Sequence, residues 1–244
     1  MIRSSSRILV VVPAYNEEAT IASVVQRLRE AVPEFDLLVV NDGSSDRTGA
    51  ILAELGVRTA THPCNIGYGR SIQTAIKYAL RYGYRALITH DADGQHRPEV
   101  LKGFVEDFRR RECDLLIGSR FVATGRVHGG TLTRRLGMRA FSMLLKMATG
   151  RRVYDTSSGL RALSSRACRI LAERPFVDFH AEAIAYLTLA GCTVGEYPVT
   201  VDERRHGTSM YSALAAVKYP VKNLILIVLA VLDARLHPPD EHDD

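Results

Sequence analysis

Apolar residues in this chain gather into short unbroken runs that alternate with stretches of helical spacing. Ile8–Val12 is continuous, β-branched and ends at Pro13, which reads as a buried parallel strand. Ile21, Val24, Val25 and Leu28 recur at helical intervals within Ala19–Ala31. Leu37–Val40 reads as a second strand running into a turn cluster at Asn41–Asp46. A short helix over Thr48–Leu55, a third strand over Val57–Thr61 and a helix over Gly69–Tyr82 follow. Arg85–Thr89 is the next strand, Pro98 suits the first turn of a helix over Glu99–Arg111, and Asp114–Gly118 is another strand. This alternation with short connections predicts an α/β fold: a mostly parallel, doubly wound sheet with helices on both faces and right-handed crossovers.

Beyond Arg120 the pattern changes. Phe121–Thr131 reads as a loop, Leu132–Thr149 as a helix and Tyr154–Ala162 as a polar, turn-rich segment. A helix over Ala181–Ala190 leads to a strand over Thr193–Val201, a polar loop over Arg204–Ser209 and a closing apolar helix over Leu214–Leu236. The expected organisation is one domain over residues 1–209 and a C-terminal apolar helix over 210–236. An acidic disordered tail would occupy 237–244.

The totals narrow the classes. At 244 residues the chain is long enough to bury a substantial core, and its 46% apolar and 24% charged residues are ordinary globular values. A formal charge of +5 suits anionic ligands or lipid headgroups. The basic residues are scattered, without aromatic interleaving and without Trp, so nucleic acid is not an expected partner. Cys64, Cys113, Cys168 and Cys192 form no Cys-x-x-Cys pair, which disfavours a zinc site and fits a reduced, cytoplasmic compartment. The longest apolar run, Leu224–Leu232, falls well short of the roughly 20 residues of a spanning helix. With Lys218 and Lys222 ahead of it, that helix suits either a peripheral membrane contact or burial against the domain or in a homodimer.

The candidate chemistry centres on Thr89–His96, where a buried strand gives way to Asp91, Asp93 and Gln95. In an extended segment these three would share one face at the carboxyl edge of the sheet, where open α/β folds bind ligands. Three oxygen donors suit Mg²⁺ or Mn²⁺ bound together with substrate phosphates. His90 and His96 flank them as structural hydrogen-bonding groups. The tips of the first two strands, Pro13–Glu18 and Asn41–Thr48, carry further carboxylates to the same edge, suited to a nucleobase and a ribose.

On these motifs the chain resembles family 2 glycosyltransferases of the GT-A (nucleotide-diphospho-sugar transferase) fold. Asp91–Glu99, Gly118–Phe121, Asp155–Arg161 and Arg204–Ser209 are most similar to the dolichyl- or polyprenyl-phosphate mannosyltransferases. The resemblance implies a metal-dependent, inverting transfer of a hexose, mannose from GDP-mannose, to a polyprenyl phosphate. Pro13, Tyr15, Glu17, Val40 and Asp42 would line the nucleoside pocket, and Asp91, Ala92, Asp93 and Gln95 would serve the diphosphate, with Asp91, Asp93 and Gln95 on the metal. Arg120 and Arg134 would meet the acceptor phosphate and Arg204 the donor phosphates, since guanidinium forks bind phosphate oxygens bidentately. Asp93, Arg120 and Asp155 are the expected catalytic residues; a hydroxyl acceptor would need a base, for which Asp155 stands first and Glu182 second. Met210 stands where the family usually has Lys, and Asn41 where it commonly has Asp. The competing readings are a family 2 transferase using UDP- or dTDP-sugars, a sugar-1-phosphate nucleotidyltransferase, and a catalytically silent membrane-associated binding module. The second would want a Gly-rich basic loop after the first strand, where this chain has Pro13–Glu17.

Overall fold

The computed structural model describes residues 7–122, 142–174, 176, 178–201 and 213–236. The first half alternates as expected: β1 (Ile8–Ala14), α1 (Ile21–Ala31), β2 (Asp36–Asn41), α2 (Thr48–Glu54), β3 (Thr59–Thr61), α3 (Tyr68–Arg81), β4 (Ala86–Thr89), α4 (Val100–Arg111) and β5 (Leu115–Ser119). A helical stretch over 142–149 (α5) follows. After it come β6 (Arg161–Ser164), α6 (Ser165–Ala172), α7 (Ala181–Leu189), β7 (Val194–Pro198) and α8 (Ala213–Leu236).

The seven strands form one sheet in the order β3-β2-β1-β4-β6-β5-β7. All neighbours pair parallel except β6, which runs antiparallel to both β4 (Thr89 opposite Arg161) and β5 (Ile117 opposite Arg161). The continuous apolar character of β1 is explained by cover on both faces. Leu9 and Val11 join Leu38, Val40 and residues of α3, α6 and α7 in one core, whereas Ile8, Val10 and Val12 join Ile21, Val25, Leu28 and Phe104 in the other. Proline is tolerated inside β1 because of where it falls. Val11 accepts from His90 N and Ala14 from Asp42 N, so Pro13 faces the β4 side beyond Thr89, where the ladder has ended.

Two elements differ from the sequence reading. Part of the segment expected to be polar turn is strand β6, and α6 directly follows it. Arg161, read as a polar residue, is 1% exposed, and its guanidinium donates to the carbonyls of Ser158 (3.0 Å), Thr156 (3.1 Å) and Phe179 (2.5 Å). A four-residue strand opening on a buried arginine carries no periodic signal. The start of α6 was detectable, since Ser164 caps it by accepting from Ala167 N at 3.1 Å. α7 is buried almost all round, because α6 and α8 cover what the sheet does not.

α8 turns Ile227 and Ala234 inward, while Leu224, Ile225, Val228, Leu229, Leu232 and Leu236 stay exposed. Two of its charged residues tie it to the domain: Lys222 bonds Asp178 at 2.8 Å and Asp233 pairs with Arg174 at 3.0 Å. Among the described residues no helix is long and apolar enough to cross a membrane.

Candidate active site

The carboxyl ends of β1, β2, β4 and β5 open on the same edge of the sheet, and antiparallel β6 brings the segment leading into it, residues 153–160, to that edge too. The loops after β1 and β2 are stitched together. Asn16 N donates to Ser44 Oγ (3.0 Å) and Ser45 N to Asn16 Oδ1 (2.9 Å). Glu17 N donates to Thr48 Oγ1 (2.8 Å), Glu18 N to Asp46 Oδ2 (3.1 Å) and Arg47 N to Glu18 Oε2 (3.0 Å). Asn16 adopts a left-handed φ of 55°, which Asn tolerates better than most residues. Burial would raise the Asp46 carboxyl, but hydrogen bonds from Thr48 and Glu18 outweigh it and hold it below the usual range.

This frame leaves Tyr15 45% exposed and Pro13 and Glu17 half-buried at the edge. Three of the residues expected to line the donor pocket have side chains engaged in the fold. Val40 is wholly buried in the core, and Ala92 turns its methyl into the core beneath α1 and α4, so neither offers a side chain to a ligand. The Asp42 carboxylate accepts from His62 Nδ1 (2.7 Å), Ile66 N (3.1 Å) and Gly67 N (2.8 Å). It is chiefly the anchor of the loop entering α3. His62 is held in turn by Thr74 Oγ1 at 2.9 Å. Gly43 has φ +67°, and a Cβ there would overlap the Cys64 backbone, so the Asp-Gly pair is a packing requirement as well as a turn.

The acidic motif is not extended. Gly94 at φ +72° and a bond from Gln95 N to Asp93 Oδ1 (3.0 Å) close it into a turn, so strand alternation is not what groups its side chains. The Asp91 side chain is 30% exposed, with His96 Nε2 at 3.8 Å. Burial holds its carboxyl above the ordinary range, with the Asp93 charge adding to that and His96, Arg120 and Arg161 opposing it. His90 is buried with Nδ1 2.9 Å from the Asp91 carbonyl, and burial pushes its pKa down to about 3. Tyr68, at the start of α3, stacks on His180 at 5.4 Å, and its hydroxyl is pushed up by burial and by Asp91 and Asp93. No three His, Cys, Asp or Glu side chains converge on a metal position among the described residues. A cation bound here would rest on two carboxylates at most and on oxygens from a ligand, which is the habit of Mg²⁺ and Mn²⁺ with diphosphates.

Opposite stands a second array. Arg120 forks onto Asp155, with Nε to Oδ2 at 2.7 Å and Nη2 to Oδ1 at 2.8 Å, while its backbone N adds a bond at 3.1 Å. Nη2 also donates to Ser157 Oγ at 2.8 Å. Glu196 of β7 accepts from the backbone N of Tyr154 and Asp155, both at 2.9 Å, and fixes the loop. Asp155 is fully buried; burial alone would raise its pKa, and Arg120 overrides that and depresses it. Asp155 is therefore a partner for Arg120, not a base, because a buried carboxylate held by a guanidinium has little basicity. Glu182 is unsuited as well: it is buried and accepts from Asp178 N (2.7 Å) and Phe179 N (2.9 Å), stabilising Phe179 at φ 56°. Neither Glu196 nor Arg161 figured among the expected site residues; their buried charges carry no periodicity signal. Arg134, Arg204 and Met210 lie outside the described residues.

A solved structure of glucosyl-3-phosphoglycerate synthase from Mycobacterium tuberculosis, in complex with Mn²⁺, UDP-glucose and phosphoglyceric acid, matches with a TM-score of 0.67 at 21% identity. The match covers 97% of this chain and 82% of that one, and it establishes a shared fold, the GT-A arrangement. Polyprenol monophosphomannose synthase of Mycolicibacterium smegmatis is 31% identical over 222 residues, covering 86% of this chain and 83% of the relative. Undecaprenyl-phosphate mannosyltransferase of Micrococcus luteus is 31% identical over 215 residues, covering 84% and 88%. Residues 9–170, which hold β1 to β6, the acidic turn and the Arg120–Asp155 pair, match the family described as Glycosyl transferase family 2. This chain belongs to that family and is a glycosyltransferase.

Proposed function

We propose that the chain transfers a hexose, mannose from GDP-mannose, to a polyprenyl phosphate in one inverting displacement that depends on Mg²⁺ or Mn²⁺. The names of the two mannosyl-transferring relatives support the donor sugar and acceptor, and the Mn²⁺ in the solved relative supports the cation. The observation that carries the acceptor class is the engagement of both candidate bases: Asp155 by Arg120, and Glu182 by backbone N–H groups. A sugar hydroxyl would need a base. A phosphate monoester, with second pKa about 6, is already mostly dianionic at neutral pH and needs positioning only.

An acceptor oxygen attacks the anomeric carbon from the face opposite the diphosphate; the new C–O bond forms as the bond to the leaving phosphate breaks. Asp91 and Asp93, with Gln95, would hold the cation, which when bound offsets the charge gathering on the departing diphosphate. Arg120 directs positive charge towards the acceptor phosphate, and Asp155 and Ser157 fix its fork in one orientation. Tyr15 and Glu17 would flank the nucleoside.

The test is a thermal-shift panel of GDP, UDP and dTDP, each with and without Mn²⁺, since a ligand of the folded state alone raises its midpoint. GDP with Mn²⁺ is expected to stabilise most, and Asp93→Ala to remove the Mn²⁺-dependent part. Stabilisation by none would overturn the reading. UDP alone would favour a UDP-sugar donor, the second reading, which the UDP-glucose in the solved relative supports.

The outward apolar face of α8 supports a peripheral contact with the membrane that carries the acceptor. Leu229→Asp with Leu232→Asp is expected to reduce co-sedimentation with anionic vesicles several-fold. Equal binding by variant and parent would remove α8 from that role.

A further inference from the structure

We infer that Gly159 is a positioning residue whose missing side chain is the seat of the Asp91 carboxylate. The inference rests on the metal–nucleotide reading above. A Cβ built at Gly159 would overlap Asp91 Oδ1, Oδ2 and Cγ, and these are its three nearest neighbours. Gly159 is not among the glycines with positive φ, so its backbone conformation is open to any residue. The atoms a side chain would meet first are those of the carboxylate.

The seat cannot retreat. Thr89 Oγ1, at the end of β4, donates to the Gly159 carbonyl at 2.6 Å in a buried bond. Just before it in the chain, Ser158 O and Thr156 O accept from the buried Arg161. The residues that pin Gly159 belong to β4, which runs into Asp91, and to β6, which pairs with β4 antiparallel. The backbone under the carboxylate is thus held in register with the strand that presents it. A side chain there would push out the Asp91 carboxylate, which is 30% exposed, before it moved the hydrogen-bonded backbone. Gly159 therefore selects the rotamer in which Asp91 lies back against the sheet, within reach of the Arg120 and Arg161 charges and beside Asp93.

The experiment is isothermal titration of Mn²⁺ into the nucleoside-diphosphate complex of the full chain, together with thermal midpoints without ligand. Gly159→Ala is expected to weaken Mn²⁺ at least tenfold while shifting the unliganded midpoint by only a few degrees. Gly83→Ala is the control: it forces a side chain to φ +68° with nothing within 4 Å, at the opposite edge of the sheet. It should lower the midpoint and leave Mn²⁺ affinity unchanged. Unaltered Mn²⁺ affinity in Gly159→Ala overturns the inference, as does a loss that the control reproduces. If the parent chain shows no Mn²⁺-dependent nucleotide binding, the functional reading fails instead; if the parent binds and Gly159→Ala binds equally, only the positioning role fails.

Discussion

Arg120→Ala is expected to lower turnover by about 10²–10³-fold, the loss typical when one electrostatic donor is removed from a developing or bound anion. It should also destabilise the fold by about 3–5 kcal/mol, because Asp155 would remain buried as a charge without its partner. The two losses are separable. Arg120→Gln with Asp155→Asn replaces the ion pair with a neutral one and keeps an acceptor for one of the two backbone N–H groups, of Arg120 and Ser157, that the carboxylate holds. That double variant should recover part of the stability, since no charge is left buried, and none of the turnover. Urea unfolding and steady-state transfer measured side by side decide the matter. An Arg120→Ala protein within about 1 kcal/mol of the parent would show that Asp155 draws its support from elsewhere.

The second large effect is acid destabilisation that begins well above the carboxylate range. His90 and His180 are pushed down to about 3 by burial, the latter also by the Arg161 charge. In the unfolded chain each takes up a proton near pH 6.5. Their folded pKa values are depressed, so the stability they sustain is complete above about pH 6.5 and is lost as pH falls towards the folded value. Each contributes a slope that approaches about 1.4 kcal/mol per pH unit below the unfolded pKa, and the two together about 2.4 kcal/mol between pH 6 and pH 5. Asp155, also depressed, adds its loss only below about pH 4, the unfolded carboxylate value. Urea midpoints at pH 7, 6 and 5 test this, with His180→Phe as the informative variant. It keeps the ring against Tyr68 while removing one titrating group, and should roughly halve the slope. A parent profile flat from pH 6.5 to pH 4.5 would contradict the buried neutral state of both rings.

The difference between the two effects reflects what each group does in the fold. Arg120 and Asp155 compensate one another, so harm follows from breaking the pair. For the histidines burial outweighs what favours a charge, and one nitrogen of each ring, His90 Nε2 and His180 Nδ1, is buried without a hydrogen-bond partner among the described residues. Such orphaned groups are uncommon in folded proteins and cluster where function constrains structure. One ring lies beside Asp91 and the other is stacked on Tyr68.

The alternation of buried strands and amphipathic helices was legible along β1 to β5, because the central strands are apolar on both faces and the helices bury a face that recurs with a fixed period. The acidic motif and its place after β4 were legible for the same reason: a strand end locates the ligand edge of the sheet. The sequence alone could not show that Asp91–Gln95 closes into a turn, because one positive-φ glycine and one side-chain bond override alternation. Nor could it show that Val40, Ala92 and Asp42 serve the core and the α3 loop, since residue type does not say which face a side chain takes. The antiparallel insertion of β6 was decided only by tertiary contacts. Its backbone bonds go to β4 and β5, distant in the chain, and its buried Arg161 is satisfied by carbonyls from two separate loops. That insertion carries Asp155 to Arg120 and Gly159 beneath Asp91. Local periodicity therefore determined the scaffold, and long-range pairing determined how the charges on it meet.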